Sequence, residues 1–324
     1  MGYNHGFGTK LLKDLGNVKP VITVCQAFHY AGYTPTPDDL REWVSQALKM
    51  GAVRIEFYED YERYRHPELY KEMIRLSKVI TSMNKVNVPD DPDTGIIVSL
   101  DSEAAKNVTG ECLSGDEIYA AYSILGEKIG SWFEFVSDRQ LERGEKDLKK
   151  YKIVYLPLGK YMTRQSVKKI VNYVKNGGVL VITDPLAFEY NIDGSSLANY
   201  REDITGVKIE KTTFDADRFK IKGIEGLSEI LFKKKGSFYE KIHQAYSVKS
   251  SGSEVKVLGE FVNGKGAIFE KNYGKGKVIY FAANPMAPDI LLIDTKIDEL
   301  FRYFQKIVGA KIDRPIWRFL IPEK

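Results

Sequence analysis

The chain has 324 residues, 43% of them hydrophobic and 12% aromatic, which leaves room for two domains that each bury a core. Its 48 Lys and Arg against 44 Asp and Glu leave a net charge of +4, and the basic runs are short, so the basic stripe of a nucleic-acid-binding protein is missing. Two cysteines exclude a disulfide framework and a four-cysteine zinc site, and no apolar run approaches the ~20 residues of a membrane span.

The first residues, MGYNHGFGTKLLKDLG, carry no signal-peptide core, which predicts a cytoplasmic protein. Abundant Lys, Glu, Ile and Tyr lean towards a thermophile. Thr9 to Leu15 is weakly helical, and Lys19-Pro20 leads into the β-branched run Val21 to Ala27, a buried strand. A Thr-Pro loop follows (Tyr33 to Pro37). Asp38 is the expected cap of a helix reaching Met50, which buries Leu40, Val44, Ala47 and Leu48 and stops at Gly51. Ala52 to Tyr58 reads as a strand and Pro67 to Met83 as a helix. Asn87 to Asp93 (NVPDDPD) has no periodicity and reads as a linker. It separates a domain of residues 1–86 from one of residues 94–310, with 311–324 as a tail.

In the second domain Gly95 to Leu100 is a buried strand. Ser114 starts a helix over Gly115 to Lys128, Trp132 to Val136 is a strand, and Gly144 to Lys150 reads as a short helix. Lys152 to Pro157 and Val179 to Thr183 are apolar runs. Between them, Thr163 to Lys175 sets Val167, Ile170, Val171 and Val174 on one helical face and ends at Asn176-Gly177-Gly178. Strand, helix and strand with short links predict a parallel crossover of a doubly wound sheet, whose ligand crevice lies beyond the carboxyl ends of its strands. Further on, Lys208 to Thr213 and Arg218 to Ile221 look like short strands. Lys256 to Phe261, Ala267 to Lys271 and Lys277 to Ala282 form a meander with Gly-rich turns, and Thr295 to Val308 is a closing amphipathic helix.

Two stretches carry a family resemblance. KPVITVCQAFHY and PTPDDLREWVSQALKMGAVRIEFYED are similar to the final two βα units of glycoside hydrolase barrels. Residues 95–309 resemble the trimerisation domain of family 42 β-galactosidases. That likeness rests on Tyr155-Leu156-Pro157, Asn176-Gly177-Gly178, the strand Val179 to Thr183, the hairpin Gly274 to Tyr280, and Asn284-Pro285. It implies an α/β chain with a partial (β/α) barrel segment, followed by a class I glutamine-amidotransferase-like (flavodoxin-like) parallel sheet with added β-hairpins. It also implies a homo-oligomer, a trimer in that family, and a carbohydrate partner. Two units cannot close an eight-stranded barrel. Either a second polypeptide completes it, or the chain is a fragment, or the units pack on the sheet that follows.

Amidotransferase chemistry needs a Cys at a strand-to-helix elbow with a His beside it. The elbows Leu158-Gly159-Lys160 and Thr183-Asp184-Pro185 hold none, and Cys112 lies far along the chain from both. His5, His29, His66 and His243 are widely spaced, and Asp215-Ala216-Asp217 reads as a solvated turn, so neither metal nor cofactor is expected. Glycoside hydrolysis needs two carboxyl groups. At the barrel-like strand ends Glu59 and Asp60 are the catalytic candidates, with Gln26, His29, Tyr30 and Glu56 for sugar binding. In the resembled family the nucleophile is a Glu at the end of the penultimate strand, where this chain has Gln26-Ala27-Phe28. Glutamine cannot form the glycosyl ester. The expectation is therefore a non-catalytic or jointly catalytic portion of a β-galactosidase-like assembly. The alternatives are a stand-alone carbohydrate hydrolase using Glu56, Glu59 or Asp60, and a sugar-binding module in the crevice of Asp101, Lys160 and Asp184, where an Asp101–Lys160 ion pair would be the simpler reading.

Overall fold

The computed structural model describes residues 4–16, 19–29, 32–58, 65–109 and 115–323. Two compact units emerge, Met1–Asp90 with Pro315–Lys324, and Asp91–Arg314. No helix among the described residues is long and apolar enough to cross a membrane.

The first unit runs α1 (His5–Leu15), β1 (Ile22–Gln26), α2 (Pro37–Lys49), β2 (Arg54–Tyr58) and α3 (Pro67–Ser82). β1 and β2 pair in parallel, with Val24 opposite Glu56 and Gln26 opposite Tyr58. Alternation puts Thr23, Cys25 and Ala27 on the covered face, where Leu40, Trp43, Val44, Leu69, Leu76 and Ile321 close a core. Each such apolar side chain contributes roughly 1.5–3 kcal/mol on burial. The opposite face is bare: Ile22 is 47% exposed, Val24 51% and Tyr58 60%. Thr36, not Asp38, caps α2. Its Oγ1 accepts from Asp39 N at 3.2 Å, while Asp39 Oδ2 accepts from Thr36 N at 2.7 Å. Pro37 explains the shift, because proline fits the first helical position and leaves the cap to the residue before it.

The second unit is built on a nine-stranded sheet in the order β4-β3-β5-β6-β13-β12-β11-β8-β9. The ranges are β3 Thr94–Val98, β4 Phe133–Ser137, β5 Ile153–Leu156, β6 Val179–Ile182, β8 Arg218–Ile221, β9 Glu229–Leu231, β11 Val255–Phe261, β12 Gly266–Tyr273 and β13 Gly276–Phe281. The first five strands in that order are parallel and the rest antiparallel. The meander therefore extends the parallel sheet: β13 lies beside β6, with Ile279 opposite Val181. A separate ribbon pairs β7 (Val207–Phe214) with β10 (Ala245–Ser250). Helices are α4 Leu100–Thr109, α5 Asp116–Ala121 continued as a π-helical stretch Tyr122–Lys128, α6 Asp138–Arg143, α7 Arg164–Lys175, α8 Ala198–Thr205 and α9 Ile297–Ile307.

Between β5 and β6 the crossover forms as its pattern predicts. Thr163 Oγ1 accepts from Ser166 N at the start of α7, and Val167, Ile170 and Val174 are buried. The helix expected over Gly144 to Lys150 is not there. Gly144 instead terminates α6 at φ +72, and Ser137 caps that helix in a reciprocal pair with Gln140. Only a 3-10 turn, Leu148–Lys150, follows. α4, α6, α8, β9 and β10 were not expected.

Candidate functional site

The carboxyl ends of the parallel strands open on a cleft of about 260 Å³. The segment after β5 supplies Leu158, Lys160 and Tyr161, that after β6 supplies Asp184, and that after β13 supplies Asn284. Lys106 of α4, Glu117 of α5, and Lys241, Gln244 and Tyr246 complete much of the wall. This is the place where an open α/β sheet holds a ligand.

Asp184 stitches two strand ends together. Its Oδ2 accepts from Gly159 N at 2.8 Å and its Oδ1 from Leu186 N at 2.9 Å. Burial raises its carboxyl above the usual range, against those two hydrogen bonds. Asn284 does similar work, its Nδ2 donating to Pro157 O at 2.8 Å and its Oδ1 accepting from Met286 N at 2.9 Å. Lys106 and Glu117 form an ion pair at 2.5 Å. Burial pushes the Glu117 carboxyl up to about 7 although Lys106 pulls the other way.

A Ser, a His and an Asp meet beneath the wall without forming a nucleophilic triad. Ser237 Oγ donates to one oxygen of Asp289, and His243 Nε2 lies 2.8 Å from the other. His243 Nδ1 lies 2.7 Å from Asn284 O. The carboxylate sits between hydroxyl and imidazole, so no ring nitrogen is left to take the hydroxyl proton. The cluster braces the segment leading to Gln244 and Tyr246.

Of the residues singled out in the sequence, Lys160 and Asp184 come together in this cleft. Asp101 does not line it; its carboxylate accepts from Arg139 Nη2 of α6 at 2.5 Å. In the first unit, Gln26 Nε2 donates to Phe28 O at 2.9 Å, Glu56 pairs with Arg54 at 3.1 Å, and His29 Nδ1 lies 2.7 Å from Thr34 Oγ1. Phe28 meets Tyr58 edge-on at 5.0 Å beside Gln26. Tyr30, Glu59, Asp60, Cys112 and Ser114 lie outside the described residues. Cys25 is no nucleophile, because it is packed in the apolar core and its thiol is pushed up to about 12 by burial. Sequence reasoning missed Lys106, Glu117, Lys241, Gln244 and Asn284. The one available signal was Asn284 at the end of an apolar run, once that run is taken as a fifth parallel strand.

The family model for the beta-galactosidase trimerisation domain matches residues 127–302. Among solved structures, the beta-galactosidase of Bacillus circulans sp. alkalophilus is similar at a TM-score of 0.72 and 14% identity, over 94% of this chain and 48% of that one. A beta-galactosidase from the Antarctic haloarchaeon Halorubrum lacusprofundi gives a TM-score of 0.72 at 14% identity, over 95% and 46%. Alpha-L-fucosidase isoenzyme 2 from Paenibacillus thiaminolyticus gives 0.62 at 16% identity, over 95% and 47%. The chain thus spans about half the length of these structures, and at such identities the likeness is one of fold. No curated protein sequence matches it. With the family model covering more than half of its residues, the chain belongs to the beta-galactosidase trimerisation domain family.

Proposed function

We propose that this chain is a non-catalytic, or only jointly catalytic, part of a glycoside-hydrolase assembly in which the second unit makes contacts between copies. The β1–β2 pair carries the reading. Among the described residues each strand has only the other as partner, and the face bearing Ile22, Val24 and Tyr58 is exposed. Parallel strands are ordinarily covered on both faces. A barrel completed by a second polypeptide would cover this one and set Gln26, His29 and Glu56 at a carbohydrate-binding mouth. Gln26 stands where the resembled enzymes place their nucleophile, which favours a binding role there. We read the second unit, over residues 94–310, as amidotransferase-like. In support, its parallel strands run 2-1-3-4-5 in chain order, a common doubly wound arrangement.

Size-exclusion chromatography with light scattering, at several concentrations, tests the contact role. A trimer is expected, and a strict monomer removes it. The chain alone should leave nitrophenyl glycosides uncleaved; turnover lost in Glu59→Gln or Asp60→Asn would establish the stand-alone hydrolase instead.

A further inference from the structure

Two segments of the second unit, 231–243 and 289–295, are tied together at three points. Ser237 Oγ donates to Asp289, His243 Nε2 lies 2.8 Å from the same carboxylate, and Thr295 Oγ1 donates to Leu231 O. Between the ties the chain exposes apolar side chains. Phe238, next to Ser237, is 80% exposed, and Leu292 is 71% exposed with Leu291 and Ile293 half-buried on either side. Asp289 and Leu292 share one 3-10 turn, Pro288–Leu292. Residues three apart eclipse in such a turn, about 6 Å from one another, so Leu292 stands on the side where Asp289 meets the Ser237–Phe238 segment. The ridge is firmly seated: Phe238 meets the buried Tyr239 ring edge-on at 5.5 Å, and Ile290 is fully buried beneath. An aromatic ring beside three consecutive aliphatic residues is not the composition of a solvated loop.

We infer that this ridge anchors the contact between copies, with Phe238 and Leu292 of one copy buried against a second copy of this chain. The inference rests on the contact role proposed above and gives it a location. Two observations select a second copy over an unrelated partner. The ridge lies wholly within residues 127–302, the span that matches a trimerisation domain, whereas the bare β1–β2 face belongs to the other unit. Within that span the other large apolar side chains exposed among the described residues are Ile192 and Val262, and each sits singly in a polar turn, beside Asp193-Gly194 and Asn263-Gly264. A ring already fixed by its neighbours loses little conformational freedom on association, which is what an interface anchor requires.

Size-exclusion chromatography with light scattering on the full chain and three variants, over a dilution series, tests it. Phe238→Asp and Leu292→Asp should each weaken the association by at least about thirtyfold, the loss expected at a central interface residue, and so move the trimer to monomer at concentrations where the parent stays assembled. Their far-ultraviolet circular dichroism should match the parent, because both side chains are exposed within one copy. Val262→Asp makes the same change of charge away from the ridge and should remain a trimer. The inference is overturned if the parent is a trimer and both ridge variants stay trimeric, which leaves the ridge to a different chain and the contact role intact. It is equally overturned if Val262→Asp dissociates the trimer as readily. A monomeric parent removes the contact role and this inference together.

Discussion

The Lys106 ammonium and the Glu117 carboxylate meet at 2.5 Å, with side chains only 7% and 5% exposed, and so join α4 to α5 at the wall of the cleft. Glu103 and Asp116 add negative charge around the same ammonium. Removing the lysine leaves a buried carboxylate with no counterion, and Lys106→Met should cost about 3 kcal/mol in slightly alkaline solution. The loss should shrink in acid. Burial raises the Glu117 carboxyl from 4.5 to about 7, so between those values the folded chain holds a proton that the unfolded chain releases. Stability therefore falls as pH rises through that window, and below it the neutral acid needs no partner. Urea unfolding of parent and variant on both sides of the window measures this. Equal losses on both sides would show that Glu117 does not titrate there.

That pair also marks the limit of what the sequence discloses. The β5–α7–β6 crossover is legible because everything that specifies it is local: apolar strands, Val167, Ile170 and Val174 one helical turn apart, and a Gly-Gly stop. The cleft is not local. Lys106 and Glu117 occupy separate helices, and Asn284 joins them only because β13 slots in beside β6 as a further parallel strand. Periodicity cannot report such a neighbour. Errors closer to home have simpler causes. Asp38 looked like a cap until Pro37 is weighed as the first helical residue. Gly144 looked like the start of a helix, but the Ser137–Gln140 capping box places that helix before it.

The junction of β13 with the crossover sets a second prediction. A Cβ on Gly276 would lie 2.2 Å from the carbonyl oxygens of both Gly178 and Val174, and backbone cannot step aside as a flexible side chain can. Gly276→Ala should therefore destabilise the second unit by roughly 3 kcal/mol. Gly264 is the control. It has φ +81 in the β11–β12 turn and open space around it, so Gly264→Ala should cost only the ~1 kcal/mol of its backbone conformation. Urea midpoints compare the two directly. If they move equally, close packing at Gly276 is not what admits β13 to the sheet.

Cys25 should be inert in the folded chain. It is fully buried on the covered face of β1, and burial pushes its thiol up to about 12, so thiolate is scarce at neutral pH. In a Cys112→Ser background, an aromatic disulfide reagent should show no reaction under native conditions and one thiol per chain in urea. Rapid native labelling would mean that the first unit opens readily around β1.

The His243–Asp289 contact makes a prediction of the opposite sign to that at Glu117. Burial works to raise the Asp289 carboxyl, but hydrogen bonds from His243 and Ser237 outweigh it and hold the group below its ordinary value. A depressed carboxyl contributes stability above the unfolded value, and that contribution is lost as pH falls through the folded one. Asp289→Asn removes the charged acceptor and should cost about 2 kcal/mol across the neutral range. The difference from the parent should close only in acid, where Lys106→Met also approaches the parent, although from a loss that grew with pH rather than one that stayed level. The substitution also frees the segment carrying Gln244 and Tyr246, because the Ser237, His243 and Asn284 contacts all run through this brace. Unchanged stability in Asp289→Asn would mean that the cluster does not brace the cleft wall.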